Sequence, residues 1–541
     1  MSPAQSFLHV LAMLWSGAGL AEVFAWLPPG ARMTLVVWLP RLFRLALIAL
    51  AVAFAYRLLL ASPGRRSSQH VRGTRLVRLR FAWLRRRLVF DRWKLRIGGV
   101  AFSKKLESQH LLITGATGAG KSQTLHGMLD AIRRRGDRVI VTDIGAEALR
   151  GFGVGGDMLL NPLDARGASW SPFAELDSPT DAERLAKSMI PDHQEGIERE
   201  WFIYSQALVA AVLKRLMQRG EATNGALLHA LTLAAPSELE TLVSGLPAQA
   251  LFHQGAEKML ASVRGIVGTY LAPYGYLAPE AGAKSWSIRR HVRAGKGWLW
   301  LSYREDQAAA LRPLLAAWIG EAVSAILSLA PDAKRRHWLL LDEVASLGRV
   351  QGLSDALTKG RKYGLCAMVG LQSVAQLRET YGRDGAQTLL SCLSSQLLLR
   401  ANDPETAEYA SLHLGEREVV REIVSRSHER NRHTITPQHS LERLVLPSQI
   451  QSLPNRVGYL RLAGQNIVRR VKIPLVKRAT TVEPFVPKKP PAPVALPPSS
   501  PPVRRPALDA DAILERASRS VKQSLSTNSM GNTNDNKCKR V

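Results

Sequence analysis

Apolar positions recur along this chain in two rhythms. Near the start come long runs: residues 7–27, apolar but for His9 and Glu22, and residues 45–61, apolar but for Arg57. A helix needs roughly 20 consecutive apolar residues to cross a bilayer, so residues 1–64 are expected to form a two-helix transmembrane anchor, with Pro28-Pro29-Gly30 ending the first span. Residues 33–40 lie at the interface or extend the second span, and Arg41 and Arg44 belong at headgroup level. Further on the runs shorten to strand length, at residues 111–113, 138–142, 298–302, 338–341, 367–371 and 396–399, with helical stretches between them. Strands alternating with helices predict a mostly parallel sheet covered on both faces, an α/β fold.

The stretch between the second and third of these strands has helical periodicity. Residues 201–217 are apolar on most faces, which predicts a helix buried in a bundle. Residues 255–271 give another helix, and Thr180-x-x-Glu183 and Ser237-x-x-Glu240 are candidate capping boxes. An all-α domain is therefore expected over 177–283, inserted into a nucleotide-binding domain of residues 106–176 and 284–478. Residues 457–462 and 466–473, separated by Gly464-Gln465, predict a hairpin closing that domain. Beyond it, residues 479–541 open with a dense run of prolines, an extended segment that cannot build a core. A short helix fits residues 508–525, and the last residues are polar.

Composition adds a polyanion partner. The 541 residues carry a formal net charge of +29, which favours nucleic acid or anionic lipid. Arg65, Arg66, Arg72, Arg75, Arg78, Arg80, Arg85, Arg86, Arg87, Arg92, Lys94 and Arg96 crowd the juxtamembrane segment 65–105. Such a block stays inside, so both termini are expected in the cytoplasm, with lipid contact or DNA contact as its further role. A cleavable signal peptide is disfavoured, because residues 1–6 carry no basic side chain and two apolar runs follow. Cys366, Cys392 and Cys538 have neither disulfide nor zinc-site spacing.

Chemistry enters where the first short strand ends. Gly115, Ala116, Thr117, Gly118, Ala119, Gly120, Lys121 and Ser122, followed by Gln123 at the head of a helical run, form a complete P-loop. Its backbone N–H groups cradle phosphates, Lys121 reaches the β and γ phosphates, and Ser122 ligates Mg²⁺. ATP and Mg²⁺ are therefore the expected cofactors. The strand over 338–341 delivers Asp342 and Glu343 at its C-terminal edge, where α/β sheets hold ligands. Asp342 suits the Mg²⁺ shell, and Glu343 suits polarisation of the attacking water. Gln372 closes the strand over 367–371, either as a γ-phosphate sensor or as a surface turn residue. Lys359-Gly-Arg361-Lys362 precedes that strand, and Arg361 reads equally as a finger for a neighbour's γ-phosphate or as part of a solvated basic face.

With these residues in place, residues 95–474 resemble the conjugative coupling proteins of the TraD/TrwB type, inner-membrane ATPases of bacterial DNA transfer. The resemblance is carried by RIGGV at 96–100, QHLLITGATGAGKS at 109–122, LLNPLDARGASWSPF at 159–173, and HWLLLDEVASLGRVQGLSDALTKGRKYGL from His337. GLQSVAQLRETYG from Gly370 and LHLGEREV from Leu412 continue it. It implies a RecA-like ring motor, a homohexamer with ATP sites between subunits and a cytoplasmic helical domain. Lys121 and Ser122 would hold ATP and Mg²⁺, and Asp342 and Glu343 would serve hydrolysis. Arg361 would act in trans, Gln372 would couple nucleotide state to movement, and Trp201 would regulate turnover. The implied partners are single- and double-stranded DNA, relaxase and relaxosome proteins, type IV secretion inner-membrane components and the bacterial inner membrane.

Two departures narrow the analogy. Asp143-Ile-Gly-Ala-Glu147 stands where the family usually shows an Asp-Pro-Lys-Gly-Glu-like run, so no lysine role transfers there. The tail lacks the acidic end of the long relatives and closes on Lys537-Cys-Lys-Arg-Val. The rival readings are a double-stranded DNA translocase, another secretion ATPase, and a membrane receptor that uses nucleotide only for assembly.

Overall fold

The computed structural model describes residues 47–50, 69–78, 94–178, 180–192, 198–426 and 433–488. The first expected span, the second apart from residues 47–50, the basic residues 79–93 and the tail past Lys488 lie outside the described residues.

The strands, in chain order, are β1 (Gln69–Gly73), β2 (Arg75–Arg78), β3 (Leu95–Ile97), β4 (Val100–Phe102), β5 (Leu111–Thr114), β6 (Arg138–Ile144), β7 (Met158–Leu159) and β8 (Leu299–Tyr303). They continue with β9 (His337–Leu341), β10 (Leu365–Leu371), β11 (Ser395–Leu398), β12 (Glu416–Arg426), β13 (His433–Arg443), β14 (Val457–Arg461) and β15 (Ile467–Lys472). Ten of them form one sheet in the order β2-β15-β14-β11-β5-β10-β9-β6-β8-β7. From β11 to β7 every pairing is parallel. The expected hairpin β14–β15 adds antiparallel strands on the β11 side.

Parallel strands buried on both faces read as unbroken apolar runs, and the centre of the sheet obeys this. Every residue of β5, β8, β9 and β10 is buried. Close approach at one point sets their ends. A Cβ on Gly370 would fall 1.8 Å from the Asp342 carbonyl oxygen. Only glycine lets the end of β10 lie this tightly against the residue after β9.

Between β7 and β8 the chain is helical, including Asp181–Met189, Glu198–Arg219, Pro236–Val243, Glu257–Leu271 and Ile288–Ala294. Neither candidate capping box forms. Thr180 bonds Ser178 through its hydroxyl, while Asp181 accepts the amides of Asp177 and Ser178. Ser237 lies inside its helix, which starts with Pro236 at the first position. The helix Glu198–Arg219 is buried along much of its length, but Ile203 and Tyr204 are exposed.

One carboxylate joins this helical stretch to the strand that follows it. Glu175, fully buried, accepts from Trp170 Nε1 (2.8 Å), Ser287 Oγ (2.9 Å), Ile288 N (2.7 Å) and Arg289 N (3.0 Å). It thus satisfies the free amides at the start of the helix that leads into β8.

Three further features lie outside the expected pattern. β12 and β13 form a long antiparallel hairpin, with β1 added to the edge of β12. The chain does not leave the main unit at the expected boundary of 479: Arg478 just before it pairs with Asp130, and past it Thr481 N donates to Arg150 O at 2.8 Å. Among the described residues a second small unit comprises Leu163–Ala165 and residues 486–488. In it Ala165 N donates to Val486 O at 2.8 Å, and Asp164 accepts from Val486 N.

Removing the Glu175 carboxylate strands four buried donors at once. Glu175→Ala is expected to lose about 3–5 kcal/mol of stability, and Glu175→Gln about half of that. The check is the thermal-unfolding midpoint of the full chain in detergent; equal midpoints for Glu175→Ala and the unaltered protein would contradict the assignment.

Candidate functional site

The P-loop is shaped by backbone bonds to the strands beside it. Gly115 N donates to Leu371 O (3.0 Å), Ala116 N to Arg400 O (2.7 Å), and Ala119 N to Ala116 O (3.0 Å). Gly120 has φ 114 and stands as the cap of the helix Lys121–Arg135. A Cβ there would meet Arg456 at 3.2 Å, so both conformation and space require glycine. Arg456, itself left-handed at φ 61, donates its amide to Ala119 O at 2.8 Å.

Lys121 is 8 % exposed. Its Nζ donates to Gly115 O at 2.7 Å and lies 3.9 Å from Glu343 Oε2. Burial lowers its pKa, while Glu343 and Asp342 pull it back up. The two carboxylates respond in the opposite sense. Burial raises Asp342, and it pushes Glu343 up to about 7 against the pull of Lys121. Asp342 Oδ1 and Glu343 Oε2 are buried and have no hydrogen-bond partner. Unpartnered buried carboxylate oxygens beside a buried ammonium fit a divalent cation, a water and a polyphosphate. Among the described residues no cluster of three or more His, Cys, Asp or Glu could hold a metal by itself. The donor set thus fits Mg²⁺ held by Ser122 and Asp342 together with phosphate and water, as P-loop sites require.

The expected residues converge unevenly. Thr117, Gly118, Lys121, Ser122, Asp342, Glu343 and Gln372 all border one open cleft of about 1200 Å³. Gln372 is integral to it: its amide donates to Glu343 Oε1 at 3.2 Å, and its Oε1 accepts from Thr117 Oγ1 at 3.4 Å. Gln123 also borders the cleft, but its Oε1 accepts from Val476 N at 2.7 Å, which ties the helix start to the chain leaving β15.

Arg361 does not border the cleft. It is exposed in the turn Gly360–Tyr363, which precedes the first residue of β10. β10 runs parallel to β5, so this turn lies at the edge of the sheet opposite the P-loop. Seven strand residues separate its start from its end, about 20 Å at the usual rise, beyond the reach of an arginine side chain. Trp201 is half-buried in the helical stretch, stacked edge-on against Tyr204 at 6.5 Å.

The cleft also holds residues that sequence reasoning missed: Arg312, Arg456, His126, Glu305 and Glu379. Arg312 and Arg456 come from segments distant in sequence and carry no local motif. Glu147 had a signal, as the last residue of the departed Asp143–Glu147 run. Asp143 accepts the amides of Ala148 (3.1 Å) and Leu149 (2.7 Å), and so aims the short helix Glu147–Phe152 at the cleft that Glu147 borders.

Comparison with known proteins bears on the same residues. The family model described as "Type IV secretion-system coupling protein DNA-binding domain" matches residues 94–474. The chain is 28% identical over 407 residues to "Coupling protein TraD" of Escherichia coli (strain K12), covering 73% of this chain and 56% of that protein. It therefore spans little more than half the length of that curated relative. The solved structure of the bacterial conjugative coupling protein TrwBdeltaN70, unbound, matches with a TM-score of 0.72 and 35% identity, over 78% of this chain and 98% of that one. TrwB in complex with ADP and Mg²⁺ matches with a TM-score of 0.70 and 35% identity, over 78% and 98% of the two chains. The fold is an α/β P-loop NTPase fold, and the chain belongs to the family of conjugative type IV secretion-system coupling proteins.

Proposed function

We propose that this chain is a DNA-stimulated ATPase that couples a relaxase-bound DNA strand to a type IV secretion channel and pumps single-stranded DNA through it. The observation that carries the reading is the split between Lys121, Asp342, Glu343 and Gln372 in one cleft and Arg361 at the opposite sheet edge. As a finger, Arg361 can serve only a neighbour's cleft, which fits the homohexameric ring that the resemblance to ring motors implies. The TrwB structure with ADP and Mg²⁺ supports nucleotide and Mg²⁺ as the ligands.

Bound ATP and Mg²⁺ supply the scissile phosphoryl group and the charge that polarises it. Lys121, freed from the Gly115 carbonyl, holds the phosphates, and Ser122 and Asp342 supply oxygens for the cation. Glu343 orients the water and takes its proton; its burial keeps it a stronger base than a solvated carboxylate. Gln372, bonded at once to Glu343 through its amide and to Thr117 through its side chain, reports phosphate loss to β10 and the helix that follows.

Around this core we assign residues 1–64 to an inner-membrane anchor with both termini cytoplasmic. Residues 65–105 are the basic juxtamembrane lead, 177–283 an all-α domain facing the cytoplasm with Trp201 regulating turnover, and 479–541 a proline-rich tail, either an incidental extension or a docking arm. DNA, relaxosome proteins and inner-membrane channel components are the partners.

Three outcomes check the reading. Lys121→Ala should lower ATP turnover by about 10²–10³-fold or more without loss of the folded state; an unchanged rate refutes the P-loop assignment. Arg361→Ala and Glu343→Gln should each be inactive alone, yet mixed rings restore an intact pair at about one interface in four, with activity to match. No recovery at any mixing ratio, with assembly verified, counts against shared sites. Single-stranded DNA should stimulate the full chain in lipid nanodiscs, and the stimulation should fade as salt rises, because grip through phosphates releases counterions. Turnover indifferent to DNA would point instead to a protein-export ATPase.

A further inference from the structure

Immediately before the P-loop strand stands a residue that the nucleotide chemistry leaves unexplained. His110 is 2 % exposed and adopts a left-handed backbone, φ 57. Its Nδ1 accepts from the amide of Ala367 at 3.0 Å, and its Nε2 lies 2.9 Å from the carbonyl oxygen of Leu357. An amide only donates and a carbonyl only accepts, so the two bonds fix the tautomer: Nε2 carries the hydrogen and Nδ1 is bare. Burial lowers the ring to about 4, which keeps this neutral form throughout the physiological range. The backbone carbonyl of His110 in turn accepts from Ser395 N at 3.2 Å, at the head of β11.

The partners of the ring matter for where they lead. Leu357 belongs to the helix Leu353–Lys359, which passes directly into the Gly360–Tyr363 turn bearing Arg361. Ala367 lies inside β10, whose far end leads to Gln372. One imidazole thus ties the root of the P-loop strand to the support of Arg361 and to the strand that ends at the cleft. A bond to a helix carbonyl near its C-terminus also fixes that helix along its axis, since the last carbonyls lack partners within the helix.

We propose that His110 is a positioning residue for Arg361: it holds the finger turn in register with its own subunit's P-loop strand. A change at one nucleotide site is thereby passed to the finger presented to the next. The proposal rests on the reading of Arg361 as a trans-acting residue given above.

Two conservative variants separate positioning from mere packing. His110→Asn keeps an acceptor close to the Nδ1 position and suits the left-handed backbone, but is too short to reach Leu357. His110→Gln is long enough to donate an amide hydrogen to the Leu357 carbonyl. With the full chain in nanodiscs, His110→Asn should keep its thermal midpoint and bind a non-hydrolysable ATP analogue within about twofold of the unaltered protein, yet lose about tenfold in DNA-stimulated kcat. His110→Gln should retain most of that kcat. The double variant His110→Asn, Arg361→Lys should be no slower than Arg361→Lys, which keeps the charge and part of the turnover, because the two act as one unit.

A wild-type kcat for His110→Asn overturns the proposal, as do losses in both variants that follow their thermal midpoints, or a double variant in which the two defects multiply. If Arg361→Ala itself turns over at the wild-type rate, the shared-site reading fails and takes this proposal with it. If Arg361→Ala is dead while His110→Asn is fully active, only the role of His110 is lost.

Discussion

A buried ammonium facing two buried carboxylates is the constraint on which the cleft depends. Lys121 is held by the carbonyl of the residue that opens its own loop and lies within ion-pair range of Glu343. Each group is out of water, and each moves the others' proton affinity: burial pulls Lys121 down and pushes Asp342 and Glu343 up, while their mutual attraction opposes both. Asp342 Oδ1 and Glu343 Oε2 receive no hydrogen bond from the protein itself, and buried carboxylate oxygens left unsatisfied cost free energy. Any group that brings a cation or hydrogen-bond donors to these oxygens relieves that cost.

The rest of the sheet holds this arrangement still. Strands β5, β9 and β10 are buried throughout, which fixes their register, and the close approach at Gly370 brings the Asp342 backbone against the end of β10. Gly115 N bonds to Leu371 O, so the loop starts from the same strand end that presents Gln372. A displacement of the P-loop therefore bears directly on the end of β10. Parallel order has a second consequence: it puts the turn before β10 at the far edge, which is what separates Arg361 from its own cleft.

Legibility in the sequence followed the physics of each element. Strands buried on both faces announce themselves as apolar runs, so the central sheet, the P-loop and Asp342-Glu343 were readable with boundaries shifted by a residue or two: β6 extends to Ile144, and β8 spans Leu299–Tyr303. The β12–β13 hairpin was not readable. Its alternation is filled by charge, with Arg417 and Arg421 both paired across it to Glu442 and Arg72 of β1 paired to Glu418, and cross-strand ion pairs leave no hydrophobic period to detect. The capping boxes failed for local reasons: the Thr180 hydroxyl is bonded to Ser178, with Asp181 folding back on the amides of Asp177 and Ser178, and Pro236 starts its helix one residue ahead of Ser237. Arg312 and Arg456 were invisible because their place in the cleft depends on long-range folding alone. The membrane anchor and most of the tail rest on sequence, since they lie outside the described residues.

The helical stretch Glu305–Leu327 shows why apolarity must be weighed against packing. It is long enough to cross a bilayer, with a mean hydropathy of 1.4, yet 72% of it is buried inside the protein. Its middle carries Glu321, fully buried, bonded by Arg184 and lying 3.2 Å from Arg289 Nη2. Burial pushes Glu321 up to about 7, while the two arginines pull against that rise. A carboxylate held by two arginines, from the helix that opens the helical stretch and the one that closes it, belongs to a protein interior, because lipid would supply no such partners. Over residues 314–323, where every position is buried, the helix is apolar on nearly all sides because it is enclosed there. Arg184 and Arg289 hold the entry and exit of the helical stretch to the core at this one carboxylate, so that stretch can move against the sheet only by breaking a buried charge cluster or by flexing beyond it.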